Sequence, residues 1–345
     1  MWRLVIGIAL VGALLGAQAQ DAAAVAQAHA AALKDQDTLR IGFVTDVGEL
    51  FDDSFNEGVF EGVVAAASEL TAMGYRVVAG PDQGAVIVTP LGSSSVVFLE
   101  EFASFAQAGF DFVVATGFLS VNEVRLAAER FPGTFFIGID QGHEGLPNLQ
   151  GVLYPEDQRG FLAGAFAASL SQSGTVGVVY GPPIPPVALF DTGFQAGVRF
   201  AQPEVRVLTV FASSFTDPEF GTRTAAAMID QGADLIVGAG GITGNGAIEE
   251  ACGRGVRVMG VDVDQFFSLP SVQPCIVTSA IKGLSRAAQD AIVYPVLSGT
   301  FQSGTVFGTV GLAPFHNFEG LLPQAALDTV ARAQAGLADG SITIP

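Results

Sequence analysis

Cysteine, histidine and basic residues are scarce in this chain, and each shortage closes off a class of function. The two cysteines are Cys252 and Cys275, and the three histidines, His29, His143 and His316, stand far apart. Neither type has the spacing of a metal site, so no metal and no cofactor is expected. Lys and Arg total 15 against 34 Asp and Glu, a net charge of −19. Such a surface does not attract nucleic acid or an anionic membrane. The sequence also lacks a serine nucleophile elbow, a P-loop and a metal-type carboxylate cluster, which argues against an enzyme. The only Gly-rich stretch ahead of a helix, Gly238–Gly246, has neither the Lys-Ser/Thr of a P-loop nor dinucleotide spacing.

The amino terminus reads as a secretory signal over residues 1–19. Arg3 supplies the positive start, Leu4–Leu15 the apolar core, and Ala17-Gln-Ala19 the small-x-small cleavage pattern. The apolar run is about a dozen residues, short of the roughly 20 that span a bilayer. No cysteine lies near residue 19, which excludes a lipid anchor on an amino-terminal thiol. The expectation is a periplasmic or secreted protein, soluble after cleavage. Residues 20–38 read as a solvated leader or short helix outside the core. In an exported protein Cys252 and Cys275 either form a disulfide or pack as separate buried thiols; the sequence favours neither.

Half the residues are hydrophobic and only 14% are charged, and about 310 follow Asp37. That is more than one core usually holds, so two domains are expected. Strand-like and helix-like segments alternate nearly throughout, which predicts parallel sheets covered by helices. An internal echo supports two similar lobes. Gly109, Asp111, Gly117 and Asn122 recur as Gly232, Asp234, Gly240 and Asn245, a constant offset of 123. Each copy leads into a helix and a strand ending in aspartate, Asp140 and Asp262. The lobes are expected over residues 39–152 with a return segment near 283–312, and 153–282 with a carboxyl-terminal segment near 313–345. Two such lobes would face each other across a cleft.

The stretch from Arg40 to Gly62 carries the clearest functional pattern. A β-branched and aromatic run, Arg40–Thr45, is followed by a polar-aromatic loop and a helical pattern from Gly58. Loops at the carboxyl ends of strands form ligand sites in open α/β sheets. Phe55 stands among Asp52, Asp53, Ser54 and Asn56, a setting that suits a loop rather than a core strand. Asp46 ends the strand, where a carboxylate either meets a ligand or caps a turn. The glycines of Gly238–Gly246 would let backbone amides approach a ligand closely.

Taken together, Val44–Gly48, Asp53–Asn56 with Glu61-Gly62, Gly238–Gly246, Gly260–Gln265 and Thr278–Lys282 resemble, in order, the basic membrane protein family of ABC-transporter substrate-binding proteins, which includes purine nucleoside receptors. The similarity runs from Arg40 to about Phe318. It implies a type I periplasmic-binding-protein fold, two doubly wound parallel-sheet lobes around a ligand cleft. It also implies a non-enzymatic receptor that captures a nucleoside, most readily a purine, and delivers it to a membrane permease. Carried over by position, Phe55 resembles the base-stacking aromatic, with Asp46 and Asn56 beside it for the base edge. Phe215 resembles the opposing aromatic, with Phe190 and Phe211 as rivals. Asp262 and Lys282 resemble the ribose-hydroxyl ligands, and Gly240 the close backbone. A planar base suits aromatic faces with polar edges, and a diol suits a carboxylate kept ionised by a nearby ammonium. Unlike many family members, this chain has no lipobox cysteine.

Three other readings stay open at this point. A sugar or flavin-like solute would keep the receptor role. A nucleoside-processing enzyme would need catalytic groups the sequence does not cluster. A regulator core would share the fold, but the signal segment and the absence of DNA-binding helices oppose it. Monomer is the default for a diffusible receptor.

Overall fold

The computed structural model describes residues 21–90 and 92–345; the signal segment 1–19 lies outside them. In chain order the elements are α1 (residues 21–33), β1 (Thr38–Val44), α2 (Phe55–Ala72), β2 (Arg76–Val78), β3 (Val86–Ile87), α3 (Ser95–Gln107), β4 (Phe112–Thr116), α4 (Val121–Arg130), β5 (Phe135–Ile139) and β6 (Leu149–Leu153). They continue with α5 (Glu156–Leu170), β7 (Thr175–Tyr180), α6 (Pro185–Ala201), β8 (Arg206–Phe211), α7 (Pro218–Asp230), β9 (Leu235–Ala239), α8 (Gly241–Gly253) and β10 (Arg257–Asp262). The last are α9 (Gln265–Ser268), β11 (Ile276–Lys282), α10 (Leu284–Ser298), β12 (Gly304–Phe307), β13 (Val310–Leu312) and α11 (Gln324–Ala338).

The chain divides into two compact units. The first holds the chain up to Asp46, Phe60–Leu153 and Ser285–Val306; the second holds Val47–Val59, Tyr154–Leu284 and Phe307 onward. The polar-aromatic loop after β1 therefore groups with the second unit.

The first unit is built on a sheet of order β12-β6-β5-β4-β1-β2, with β3 also pairing to β1. Strands β4 and β5, Phe-Val-Val-Ala-Thr and Phe-Phe-Ile-Gly-Ile, are buried at every position. Such continuous apolar runs suit parallel strands covered on both faces, and β1, β4, β5 and β6 pair in parallel. Helix α1 packs on this unit through Ala26, Ala30 and Leu33, all nearly out of solvent. The reading of residues 20–38 as a leader outside the core is corrected here. The spacing of those three residues is that of one helical face.

The second unit has sheet order β13-β11-β10-β9-β7-β8. All its pairings are parallel except β13, which runs antiparallel to β11. That edge strand comes from the return segment and needs no β/α crossover. Phe166, Tyr180, Phe190 and Phe194 lie at the centre of this unit's core. Helices α5 and α6 approach through glycines. A Cβ on Gly160 or Gly164 would strike the carbonyls of Phe190 and Phe194, and one on Gly193 or Gly197 those of Asp157 and Phe161.

The echo has structural content in both units. Gly109 and Gly232 both take left-handed φ, 75° and 96°, and so do Asp140 and Asp262, 62° and 70°. Asp111 accepts the Arg40 N–H at 2.8 Å, and Asp234 accepts those of Gln172 and Ser173 at 2.6 and 2.8 Å. Gln141 and Gln265 each press on a strand glycine, Gly138 and Gly260, where a side chain would collide.

Helices α2 and α8 start earlier than the sequence reading places them. Helix α2 begins at Phe55, not near Gly58, because the Asp52 carboxylate accepts the N–H groups of Ser54, Asn56 and Glu57 at 3.0, 3.1 and 3.2 Å. Those are donors that a first turn otherwise leaves unsatisfied. Helix α6 has Pro185 at its first position, where a missing N–H leaves no helical bond unmade. Helix α8 starts at Gly241, so most of the Gly238–Gly246 loop is helical. Its glycines serve packing: Gly246 lies against the Pro218 carbonyl, and Gly221 of α7 against that of Thr243.

Candidate functional site

In the second unit the loop before α2 is pinned from below by two side chains. Asn245 Nδ2 donates to the Asp52 carbonyl at 2.9 Å, and Gln265 Nε2 donates to the Asp53 carbonyl at 3.0 Å. Gln265 also donates to Asn245 Oδ1 at 2.8 Å, and Ser268 Oγ to the Asp53 carbonyl at 2.8 Å. Asn245 comes from the echo motif, and Gln265 follows the strand that ends at Asp262. The loop is thereby carried to the carboxyl ends of β10 and β11, where Asp262 and Lys282 lie.

There it meets four buried charges. Arg159 Nη1 is 2.7 Å from Asp262 Oδ1, and Arg159 Nη2 is 2.8 Å from Glu156 Oε2. Lys282 Nζ is 2.7 Å from Glu156 Oε1 and 3.8 Å from Asp262 Oδ1. Ser54 Oγ donates to the other Asp262 oxygen at 3.1 Å. The half-buried Phe55 ring lies 4.9 Å from Lys282 Nζ, and the Tyr154 ring 5.5 Å from it. Burial alone would raise the Asp262 carboxyl. The Arg159 guanidinium, then the Lys282 ammonium and the hydrogen bonds from Arg159 and Ser54, outweigh it and hold the group below the usual carboxylate range.

Of the residues singled out in the sequence, the structure brings Phe55, Asp262 and Lys282 together. Asn56 is buried in the first turn of α2, where its Nδ2 donates to the Glu49 carbonyl at 3.0 Å and shapes the loop. Phe215 lies on Gly181, where a Cβ would strike its ring, and its carbonyl accepts the Thr243 N–H at 3.0 Å. Its rivals are committed elsewhere: Phe190 is fully buried under Arg159 at 4.7 Å, and Phe211 stacks on Tyr180 at 4.8 Å. Gly240 lacks room for a side chain because the Gly181 backbone lies against it.

Asp46 belongs to the first unit and lies against Gly117, where no side chain fits. Burial, and next the Asp140 carboxylate, push Asp46 up to about 8, against the pull of the Leu119 N–H. Nearby, burial and then Arg125 lower His143 to about 4, and its Nε2 lies 2.7 Å from Gln141 Oε1.

Sequence reasoning missed Glu156, Arg159 and Ser54. One signal was present: Glu156 and Arg159 stand three residues apart at the head of a helix that is otherwise almost wholly apolar, Phe161–Leu170. Two opposite charges opening such a helix share a face and must find partners inside the protein. The disulfide, which the sequence left undecided, joins Cys252 to Cys275.

Residues 40–312 match the family described as ABC transporter substrate-binding protein PnrA-like (Bmp). The chain belongs to this family. Similar proteins include basic membrane protein A of Borreliella burgdorferi, 28% identical over 77% of this chain and 74% of the other. The ABC transporter nucleoside-binding protein BmpA of Lactococcus lactis is 25% identical over 99% of this chain and 97% of its own. Among solved structures, an ABC transporter solute-binding protein of Aeropyrum pernix superposes with a TM-score of 0.76 at 24% identity, over 89% of this chain and 94% of that one. The fold of this PnrA-like protein is thus the two-lobed α/β fold of type I solute-binding proteins, and its role is the solute-binding component of an ABC importer, not an enzyme. Membership carries a small-molecule ligand and an ABC permease as partners, and is consistent with an extracytoplasmic, soluble location.

Proposed function

We propose that the ligand is a nucleoside, with a purine base favoured, and that Phe55, Asp262 and Lys282 are its principal contacts in the second unit. The observation that carries this reading is the placing of a half-buried aromatic face beside an ionised carboxylate and an ammonium. Phe55 offers a platform on which a base can stack, and Asp262 an acceptor for two ribose hydroxyl protons. Lys282 then donates to the same hydroxyl oxygens. The name of the Lactococcus relative, a nucleoside-binding protein, supports the same class. Asp46, Asn56, Phe215 and Gly240 are secondary candidates carried by the family resemblance. A monomer exported by its amino-terminal segment completes the reading.

Titration calorimetry and thermal shift with adenosine, guanosine, inosine, the free bases, sugars and riboflavin test it. Nucleosides are expected to bind and to raise the melting temperature. Phe55→Ala should weaken binding by about ten- to a hundredfold, the value of one base–aromatic stack. Binding of sugars alone, at full strength in Phe55→Ala, would replace the nucleoside with another solute.

A further inference from the structure

We propose that Glu156 and Arg159 are positioning residues that set the recognition of a ligand's hydroxyl pair by Asp262 and Lys282; this rests on the nucleoside reading above. Both sit in the first turn of α5, on one helix face, and both side chains are almost wholly out of solvent. A buried ion pair is rarely the most stable way to fill a core. The helix behind them is apolar and packs through glycines and phenylalanines, so stability alone calls for apolar residues here too. What the pair does instead is reach the two charged groups of the candidate site.

The geometry divides the work. The planar Arg159 fork puts Nη1 on Asp262 Oδ1 and, at 3.3 Å, on the Ala280 carbonyl, while Nη2 bonds Glu156. That fixes the plane of the Asp262 carboxylate and occupies Oδ1 from behind. Oδ2 is turned toward Ser54 Oγ, a neutral hydroxyl at 3.1 Å. A ligand hydroxyl can take the place of a serine hydroxyl at little electrostatic cost. Glu156 acts on the other partner. It holds the Lys282 ammonium at 2.7 Å and so keeps it 3.8 Å from Asp262 Oδ1, outside hydrogen-bond length. Without the Glu156 charge, Asp262 becomes the remaining anion of the cluster toward Lys282. The two would then close into a direct pair, and the carboxylate would be spent on the protein's own ammonium. Glu156 thus keeps an acceptor and a donor side by side instead of bonded to each other.

The test compares inosine with 2′,3′-dideoxyinosine, which keeps the base and the 5′-hydroxyl but lacks the vicinal 2′ and 3′ hydroxyls, by titration calorimetry. The proteins are the wild type, Glu156→Gln and Arg159→Lys, each first shown to unfold cooperatively. Glu156→Gln keeps the shape and removes the charge; Arg159→Lys keeps the charge and removes the fork. The wild type is expected to prefer inosine. In both variants inosine binding should fall about tenfold or more, the value of a charge-assisted hydrogen bond, while dideoxyinosine binding stays unchanged. The preference ratio therefore contracts. Equal losses for both ligands, or no loss for either, would overturn the positioning role and leave the nucleoside reading intact. Absence of binding of either ligand to the wild type would overturn both.

Discussion

Arg159 Nη1 lies 2.7 Å from Asp262 Oδ1, and the two side chains keep only 6% and 12% of their surface in solvent. Removing one member of such a pair leaves the other charged and desolvated. Asp262→Asn is therefore expected to cost about 3–5 kcal/mol of stability near neutral pH. Urea denaturation at several pH values adds a sign. The folded Asp262 carboxyl titrates below its ordinary value of 3.8, so its contribution is complete above that value and disappears as pH falls through the lower, folded one. The gap in stability between wild type and Asp262→Asn should therefore narrow below about pH 4. A gap that stays constant down to the acid transition would mean that the group is not held ionised.

Asp46 gives the opposite slope. Its carboxyl proton leaves the unfolded chain near pH 3.8 but the folded chain at about 8, so between those values the folded state holds the extra proton. Stability falls as pH rises through that window, by up to about 1.4 kcal/mol per pH unit. Asp46→Asn has no proton to lose and should be flatter between about pH 5 and 8. Chemical denaturation of both proteins across that range decides the matter; parallel profiles would show Asp46 already ionised.

The Cys252–Cys275 disulfide ties the end of α8 to the start of β11 across a sequence separation of 23. Closing a loop of that length removes chain entropy from the unfolded state worth about 3 kcal/mol. Replacing both cysteines by serine, or reducing the protein, should lower its melting temperature by several degrees, about 2–4 °C per kcal/mol for a chain of this size. Unchanged melting after verified reduction would show that the unfolded chain does not feel the tie. A disulfide also persists most readily in an oxidising compartment, which agrees with the extracytoplasmic location that family membership is consistent with.

Much of the fold was written in local pattern. The β5 run is apolar throughout, and the interiors of β4, β7 and β10 are apolar as well. The short strands β3, β12 and β13, of two to four residues, have too few positions to show an alternation. They exist because a neighbouring strand offers them hydrogen bonds. The start of α2 was likewise misplaced, since the donors of its first turn are satisfied by Asp52, and carboxylate-to-backbone contacts leave no periodic trace.

The sequence by itself determined the alternation of strands and helices and the duplicated Gly-Asp-Gly-Asn pattern, because side-chain period and motif spacing are properties of a one-dimensional chain; Phe55, Asp262 and Lys282 came forward through the family resemblance. Only the tertiary structure decided which charge meets which. Glu156 and Arg159 lie more than a hundred residues from Asp262 and Lys282, and they meet because helix α5 packs its first turn against the ends of β10 and β11. Burial there makes an unpaired charge costly, so four side chains without a shared sequence motif are held to one arrangement.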